Sequence, residues 1–112
     1  MTRRPHISLT PEAKHAALSL GERLRKARLR RNMTLEDAAS RLGIHRETLS
    51  QVERGNPNAA IGTVVGALWV YGLLPTLTDV ASPELDMVGR SLEAVGGRQR
   101  ARPGLGGMDN DF

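Results

Sequence analysis

Several features common in other protein classes are missing from this chain. The 112 residues include no cysteine, which excludes disulfide bonds and thiolate metal sites and agrees with a reducing cytosol. No apolar run approaches the roughly 18 residues that a membrane span needs. The N-terminus contains Arg3 and Arg4 but no hydrophobic stretch of the signal-peptide type. We therefore expect a cytoplasmic protein with no membrane partner.

The residue types that carry catalysis or hold metals are poorly placed for either purpose. His6, His15 and His45 are scattered and lack the spacing of metal ligands. No serine, histidine and acid lie together in a pattern that would activate a nucleophile. We expect no metal, no cofactor and no enzymatic activity.

Acidic residues are scarce in the N-terminal third of the chain. Residues 1–32 contain nine Lys or Arg against Glu12 and Glu22, a net charge of +7, whereas residues 33–72 sum to −1 and residues 73–112 to −2. A basic block attracts phosphate groups when it lies beside a surface that reads nucleic acid. A basic block alone is equally consistent with a solvated helix face.

The clearest local pattern begins at Thr34, which forms a capping box with Asp37 at the start of a helix. Its apolar residues follow at helical spacing and make one buried stripe: Leu35, Ala38, Ala39 and Leu42. Gly43 suits a left-handed helix end, and His45 directly precedes a second helix. Two helices joined by a short turn with glycine predict a helix-turn-helix.

The second helix has two chemically different faces when residues 46–54 are placed at about 100° per residue. The predicted packing face consists of Thr48, Leu49, Val52 and Glu53. The opposite face carries side chains that can hydrogen-bond to base edges and phosphates: Arg46, Glu47, Ser50, Gln51 and Arg54. This pattern indicates a helix that packs with one face and reads DNA with the other.

Individual roles follow from hydrogen-bonding chemistry. We assign base readout to Arg46 for guanine, to Gln51 for adenine and to Glu47 for the amino group of cytosine. Phosphate contacts are assigned to Leu35, His45, Ser50, Arg54, Asn56 and Asn58. Asn56 and Asn58 belong to the Gly-Asn-Pro-Asn segment after the second helix, where turn chemistry explains them about equally well.

The run from Leu20 to Leu74 resembles the Xre or lambda-repressor-like helix-turn-helix family. The resemblance rests on RLRKAR, on TLEDAA followed by LGI, and on TLSQVERG, in this order and spacing. It implies a compact helical bundle that binds operator DNA as a two-fold dimer. It also implies a largely buried ion pair between Arg28, on the core face of the first bundle helix, and Glu53, on the packing face of the reading helix.

The predicted fold is all-α: a lambda-repressor-like bundle of four to five short helices, with a C-terminal helix and flexible tails. At this length we expect one domain whose small core dimerisation would help to stabilise. A short helix is predicted at residues 11–18, and a capping box of Ser19 and Glu22 predicts that the first bundle helix begins near Leu20. The core face of that bundle helix is predicted to consist of Leu20, Leu24, Ala27, Arg28 and Arg31.

The fourth bundle helix, residues 60–71, has two apolar stripes. The stripe predicted to face the core consists of Ile61, Val64, Val65 and Leu68. The second stripe is predicted to form the dimer interface and consists of Gly62, Gly66, Trp69 and Leu73. The alternative is that Trp69 packs under the C-terminal segment.

The two ends of the chain have weaker patterns. Residues 75–81 suit either a short helix or a strand, and Ser82-Pro83-Glu84 opens another helix. The apolar stripe of that helix needs a neighbour and consists of Leu85, Val88, Leu92 and Val95.

The predicted segments are a flexible arm (1–10), a DNA-binding domain (11–81, with the helix-turn-helix at 34–54), a helical extension (82–95) and a disordered Gly/Arg-rich tail (96–112). Arg3 and Arg4 suit either a minor-groove arm or a disordered terminus.

The leading function is a sequence-specific repressor that binds double-stranded operator DNA as a homodimer in the cytoplasm, at the nucleoid. The motifs SLGERLR, ERGNPN and SPELDMVGRSLEA are also similar to antitoxin repressors encoded beside HipA-type serine/threonine kinases. That resemblance implies a kinase toxin as second partner and repression of the shared operon. The alternatives are a stand-alone Xre-family regulator and a protein-interaction module that has lost DNA binding.

Overall fold

A computed structural model describes residues 7–100, with side chains up to Gly96. The described residues form five α-helices, two short 3-10 helices and no strand, which confirms the all-helical class. The α-helices are α1 (Pro11–Arg30), α2 (Leu35–Leu42), α3 (Arg46–Glu53), α4 (Ile61–Val70) and α5 (Met87–Arg100). Arg3, Arg4 and tail residues 101–112 lie outside the described part.

The chain divides into two compact units, residues 1–75 and residues 76–112. The first unit is the bundle of α1 to α4, in which α3 packs against α1, α2 and α4. Its apolar core consists of Leu24, Ala27, Met33, Ala38, Ala39, Leu49, Val52, Ala67, Leu68 and Tyr71. The first unit ends at residue 75, six residues before residue 81, where the sequence predicts the end of the DNA-binding domain.

Helix α1 is one continuous helix, so the predicted break between residues 18 and 20 is wrong. The hydroxyl of Thr10 accepts the backbone N–H of Ala13 at 3.2 Å and caps the helix, with Pro11 in its first turn. Residues 12–20 contain neither proline nor glycine, so nothing stops the helix before Ser19. The core face of α1 is also narrower than predicted, because Leu20 is 40% exposed and Arg31 is exposed.

The helix-turn-helix forms as the local signals predict. Both hydrogen bonds of the Thr34–Asp37 capping box are present, at 3.0 and 2.9 Å. Gly43 takes the left-handed conformation, with φ +69°. In the packing face of α3, Leu49 and Val52 are buried, but Thr48 is exposed, which corrects the prediction. Thr48 lies about 100° around the helix from Leu49, at the edge of the packing face.

Helices α1 and α3 approach closely at Gly21. A side chain at this position would bring its Cβ within 2.5 Å of the backbone oxygen of Glu53 and 2.6 Å of that of Val52. Only a residue without a Cβ allows this backbone contact. The contact sets how deeply the C-terminal end of α3 seats against α1.

Helix α4 buries less of its predicted core stripe than expected. Ile61 is 78% exposed, because α4 begins at this residue, and Val64 and Val65 are half-buried. Gly66, assigned from the sequence to a dimer interface, lies against Leu42, whose Cδ2 would be 2.8 Å from a Cβ at that position. Gly66 therefore serves the crossing of α2 and α4 within the chain.

The second unit consists of 3-10 turns followed by helix α5. A 3-10 helix spans Leu74–Asp79. Of the two conformations that the sequence left open for this region, helix and strand, the structure has the helical one. A second 3-10 turn spans Pro83–Leu85, and α5 begins at Met87 rather than at the predicted Ser82. The Asp86 carboxylate accepts the backbone N–H of Gly89 at 2.9 Å near this start. Helix α5 includes residues 96–100 of the predicted tail.

Candidate nucleic-acid interface

The ion pair expected between Arg28 and Glu53 is present and buried: Arg28 is 6% exposed and Glu53 is 9% exposed. The guanidinium donates to both carboxylate oxygens, from Nε at 2.8 Å and from Nη2 at 2.9 Å. Its Nη1 donates to the carbonyl of Met33 at 2.9 Å. The hydrogen bond to Glu53 raises the pKa of Arg28. This arrangement joins α1, the turn before α2 and the end of α3, and so fixes the position of α3.

Tyr71 lies near this ion pair and was missed by the sequence analysis. Its side chain is buried, and its hydroxyl has no hydrogen-bond partner among the described residues. The guanidinium of Arg31 lies 5.9 Å from the centre of the phenol ring, within the range of a cation–π contact. Burial raises the pKa of Tyr71, with a further contribution from the charge of Glu53. The sequence signal was weak, because Tyr71 marks the end of α4 rather than its apolar stripe.

The outer face of α3 carries an ordered network of three side chains. Arg54 donates from Nη2 to the Glu47 carboxylate at 2.9 Å and from Nη1 to the Ser50 hydroxyl at 2.6 Å. The ion pair is exposed, and its hydrogen bond lowers the pKa of Glu47. The structure thus brings together one residue predicted to read bases and two predicted to hold phosphates.

Gln51 connects this network to the turn after α3, because its NH₂ group also hydrogen-bonds to the Glu47 carboxylate and contributes to the lowered pKa of Glu47. The Nδ2 group of Asn56 donates to the Gln51 side-chain oxygen at 2.9 Å. The backbone N–H of Asn58 donates to the Asn56 side-chain oxygen at 2.8 Å. Asn56 and Asn58 therefore have a structural role in the turn. The link from Asn56 to Gln51 was missed, because it spans the end of a helix and depends on the turn that follows.

The remaining predicted residues are placed around these networks. Arg46 lies at the N-terminal end of α3, exposed, with no hydrogen bond or ion pair to any described residue. His45 is exposed at the start of α3, and its side chain does not cap the helix. Leu35 is half-buried in the first turn of α2. Its apolar side chain leaves the backbone N–H as the group that a phosphate would contact.

An open cleft of about 450 Å³ on the outer face of α1 is lined by Ser19, Glu22, Arg23, Arg25, Lys26 and Leu29. Over the described range, no three His, Asp or Glu side chains cluster as metal ligands do. None of the helices described is both long and apolar enough to cross a membrane.

Two short helices at a glycine turn, the second with an exposed hydrogen-bonding face, define the helix-turn-helix class of DNA-binding domains. Residues 19–81, more than half of the chain, match the helix-turn-helix domain family. The chain belongs to this family. Helix-turn-helix domains of this class are DNA-binding domains. Comparison with curated proteins and with solved structures gave no match.

Proposed function

We propose that this protein is a sequence-specific repressor that binds double-stranded operator DNA as a homodimer in the cytoplasm, at the nucleoid. The observation that carries the proposal is the outer face of α3. Its polar side chains are exposed or half-buried, while the buried pair of Arg28 and Glu53 holds the opposite face. A rigidly held helix with an accessible polar face is what entry into the major groove requires.

Arg46 is our leading candidate for base readout. It lies at the N-terminal end of α3, the end from which helix-turn-helix proteins contact base edges. Its free guanidinium matches the O6 and N7 atoms of guanine. We assign Arg54 and Ser50 to phosphates, and Glu47 to positioning Arg54 as well as to an amino group of cytosine.

Two arginine variants test these roles. Arg46→Ala should lower operator affinity roughly 10- to 100-fold and relax the preference at one position per half-site. Arg54→Ala should weaken binding to all sequences and reduce the slope of affinity against salt by about one. Arg90→Ala, an exposed arginine on α5, is the matched control. The measurement is binding to selected and random duplexes at two salt concentrations. Equal losses for the two variants on both duplexes would reject this division of roles.

The homodimer is proposed to use the exposed face of α4. Trp69 is 63% exposed and lies in a shallow cleft with Arg41 and Val70, and Gly62 is exposed in the first turn of the helix. Leu73, half-buried, is the edge of this surface. Large exposed apolar side chains on a bundle of this size favour an interface.

The single tryptophan makes this interface measurable. If Trp69 lies between two copies, its emission should shift to longer wavelength on dilution, together with the fall in mass seen by sedimentation. Trp69→Ala should stay monomeric at all concentrations. An emission maximum that does not depend on concentration would favour the alternative, in which Trp69 packs under the C-terminal segment of its own chain.

A kinase toxin of the HipA type is proposed as a second partner, which would make the protein an antitoxin and repressor of its own operon. The supporting observation is an apolar stripe that begins just before α5 and continues along it, and whose four residues are 62 to 81% exposed: Leu85, Val88, Leu92 and Val95. Toxin binding to the dimer would increase operator affinity by linkage. A kinase-like gene directly downstream, and its co-purification with the chain, would support this role. A stand-alone Xre-family regulator would lack both.

The remaining alternative is a protein-interaction module without DNA binding. A gel shift on the region upstream of its own gene, run at two salt concentrations, separates the two cases. Specific binding that persists at the higher salt favours the repressor. Absence of any salt-dependent binding would reject it.

A further inference from the structure

The side-chain amides of Gln51 and Asn56 are oriented by the backbone of the turn after α3. The N–H of Asn58 points at one atom of the Asn56 amide, at 2.8 Å. A backbone N–H can only donate, so the Asn56 atom that receives it must be the oxygen, Oδ1. The Asn56 NH₂ group then faces Gln51 at 2.9 Å, and it too can only donate. The Gln51 atom that faces Asn56 is therefore its oxygen, Oε1.

The turn itself is held in place by hydrogen bonds to the end of α3. The N–H of Asn56 donates to the Gln51 carbonyl at 3.0 Å, and the N–H of Gly55 donates to the Val52 carbonyl at 3.0 Å. Gly55 has φ +76°, and a Cβ there would meet the backbone of Leu18 at 2.9 Å. The distance between Asn56 and Gln51 is therefore fixed by the backbone, and the amide polarity passes from Asn58 to Asn56 to Gln51.

We infer that Asn56 is a positioning residue that keeps the Gln51 oxygen toward the turn, so that the Gln51 NH₂ group, which lies beside the Glu47 carboxylate on the outer face of α3, is the group offered to DNA. This rests on the proposed DNA-binding function and sharpens it. A glutamine that reads adenine needs both its oxygen and its NH₂ group on the base edge. With the oxygen engaged, Gln51 offers a donor to an acceptor, such as O6 of guanine or O4 of thymine. The expected preference is for guanine or thymine, in place of adenine.

Asn56→Asp reverses the hydrogen bond between residues 56 and 51 while keeping a side chain of nearly the same shape. One aspartate oxygen still accepts the N–H of Asn58, but the other can only accept, so it competes with the Glu47 carboxylate for the Gln51 NH₂ group and draws that group toward the turn. The Gln51 oxygen then faces DNA and should favour the amino groups of adenine or cytosine. Asn56→Ala removes the orienting group, so both amide orientations become available and the preference should broaden.

The test selects duplexes from a random DNA library with the full chain and compares four variants with the original. Gln51→Ala identifies the base pair that Gln51 contacts. At that pair, we compare how often guanine or thymine is selected with how often adenine or cytosine is selected. Asn56→Asp should lower this ratio roughly tenfold or more, the size expected for an exchanged base contact. Asn56→Ala should reduce the ratio toward one. Asn32→Asp, in the exposed turn after α1, adds the same charge and should leave the ratio unchanged.

The outcomes separate this inference from the function on which it rests. If the original chain enriches a sequence and both Asn56 variants enrich the same base, Asn56 does not orient Gln51. An original chain that selects adenine at the pair identified by Gln51→Ala also overturns the inference. If the original chain enriches no sequence, the proposed repressor function fails first. Circular dichroism of each variant shows whether it has folded, and Asn56→Ala decides the matter if Asn56→Asp does not fold.

Discussion

Helices α3 and α5 have similar apolar spacing but opposite burial. In α3, Leu49 is fully buried and Val52 is 4% exposed, within the core of the first unit. In α5, Leu92 and Val95 have the same spacing on an apolar face and are 67% and 81% exposed. The comparison shows that spacing identifies the face of a helix that can be buried, but only a neighbouring element buries it. Stability should therefore reside in the first unit, while α5 keeps an apolar face available.

The largest expected difference between the two regions concerns arginine. Arg28→Ala leaves the carboxylate of Glu53 buried and unpaired, so we expect a loss of roughly 3 to 5 kcal/mol in the free energy of unfolding. Arg90→Ala on α5 removes an exposed contact to the carbonyl of Glu84, with an expected loss under about 0.5 kcal/mol. Urea unfolding followed by circular dichroism measures both. A loss below about 1 kcal/mol for Arg28→Ala would mean that the pair does not hold α3 in place.

A leucine pair tests the comparison directly. Leu49→Ala opens a cavity in the core and should cost roughly 2 to 5 kcal/mol. Leu92→Ala removes the same atoms from an exposed position and should cost less than about 0.5 kcal/mol. Both losses are read from urea unfolding at one protein concentration. If the two losses are similar, α5 packs against something in solution, and the contrast drawn above is wrong.

The sequence was most informative where a few neighbouring residues decide the outcome. The capping box of Thr34 and Asp37 and the left-handed Gly43 follow from contacts within a few residues, and both are present. The pairing of Arg28 with Glu53 was expected from the family resemblance, and it is present; a buried arginine on a core face also needs such a carboxylate partner. These signals placed the reading helix correctly.

The sequence was less informative where packing between helices determines the start of a helix or the partner of a side chain. Ser19 and Glu22 match a capping box, yet they lie within α1, because a cap forms only where the preceding backbone is not helical. Gly66 is a small residue of the kind found at close helix contacts between subunits, but here it lies against the side chain of Leu42 of its own chain. The hydrogen bonds from Asn58 to Asn56 and from Asn56 to Gln51 follow from the turn geometry and not from any periodicity.

A glycine pair distinguishes a close crossing from an open helix surface. Gly21→Ala places a Cβ 2.5 Å from a backbone oxygen of α3, so one helix must shift, at an expected cost of roughly 1 to 3 kcal/mol. Gly96→Ala on α5 meets nothing within 4 Å, and the higher helix propensity of alanine should favour the helix by up to about 1 kcal/mol. Thermal unfolding and the helical signal in circular dichroism report the two effects. A stabilised Gly21→Ala variant would show that α1 and α3 do not cross as closely as described.

The smallest expected effect concerns the buried hydroxyl beside the ion pair, a polar feature that α5 does not have. Tyr71→Phe removes a hydroxyl without a partner and keeps the ring below Arg31, so the variant should be as stable as the original or up to about 1 kcal/mol more stable. A loss above about 1 kcal/mol would mean that the hydroxyl has a partner in solution, such as a bound water.

The pH dependence of the same variant gives a second reading. Because burial raises the pKa of Tyr71, the folded chain holds the phenol proton more tightly than the unfolded chain. Its contribution to stability is complete below the ordinary pKa of 10.0 and is lost as the pH rises through the folded value. Tyr71→Phe should therefore lose less stability than the original chain between pH 9 and 11, a range set by the usual tyrosine pKa of about 10. Parallel curves for the two proteins would place the hydroxyl in contact with solvent, and the core of the first unit would then be less closed than that of a fully packed bundle.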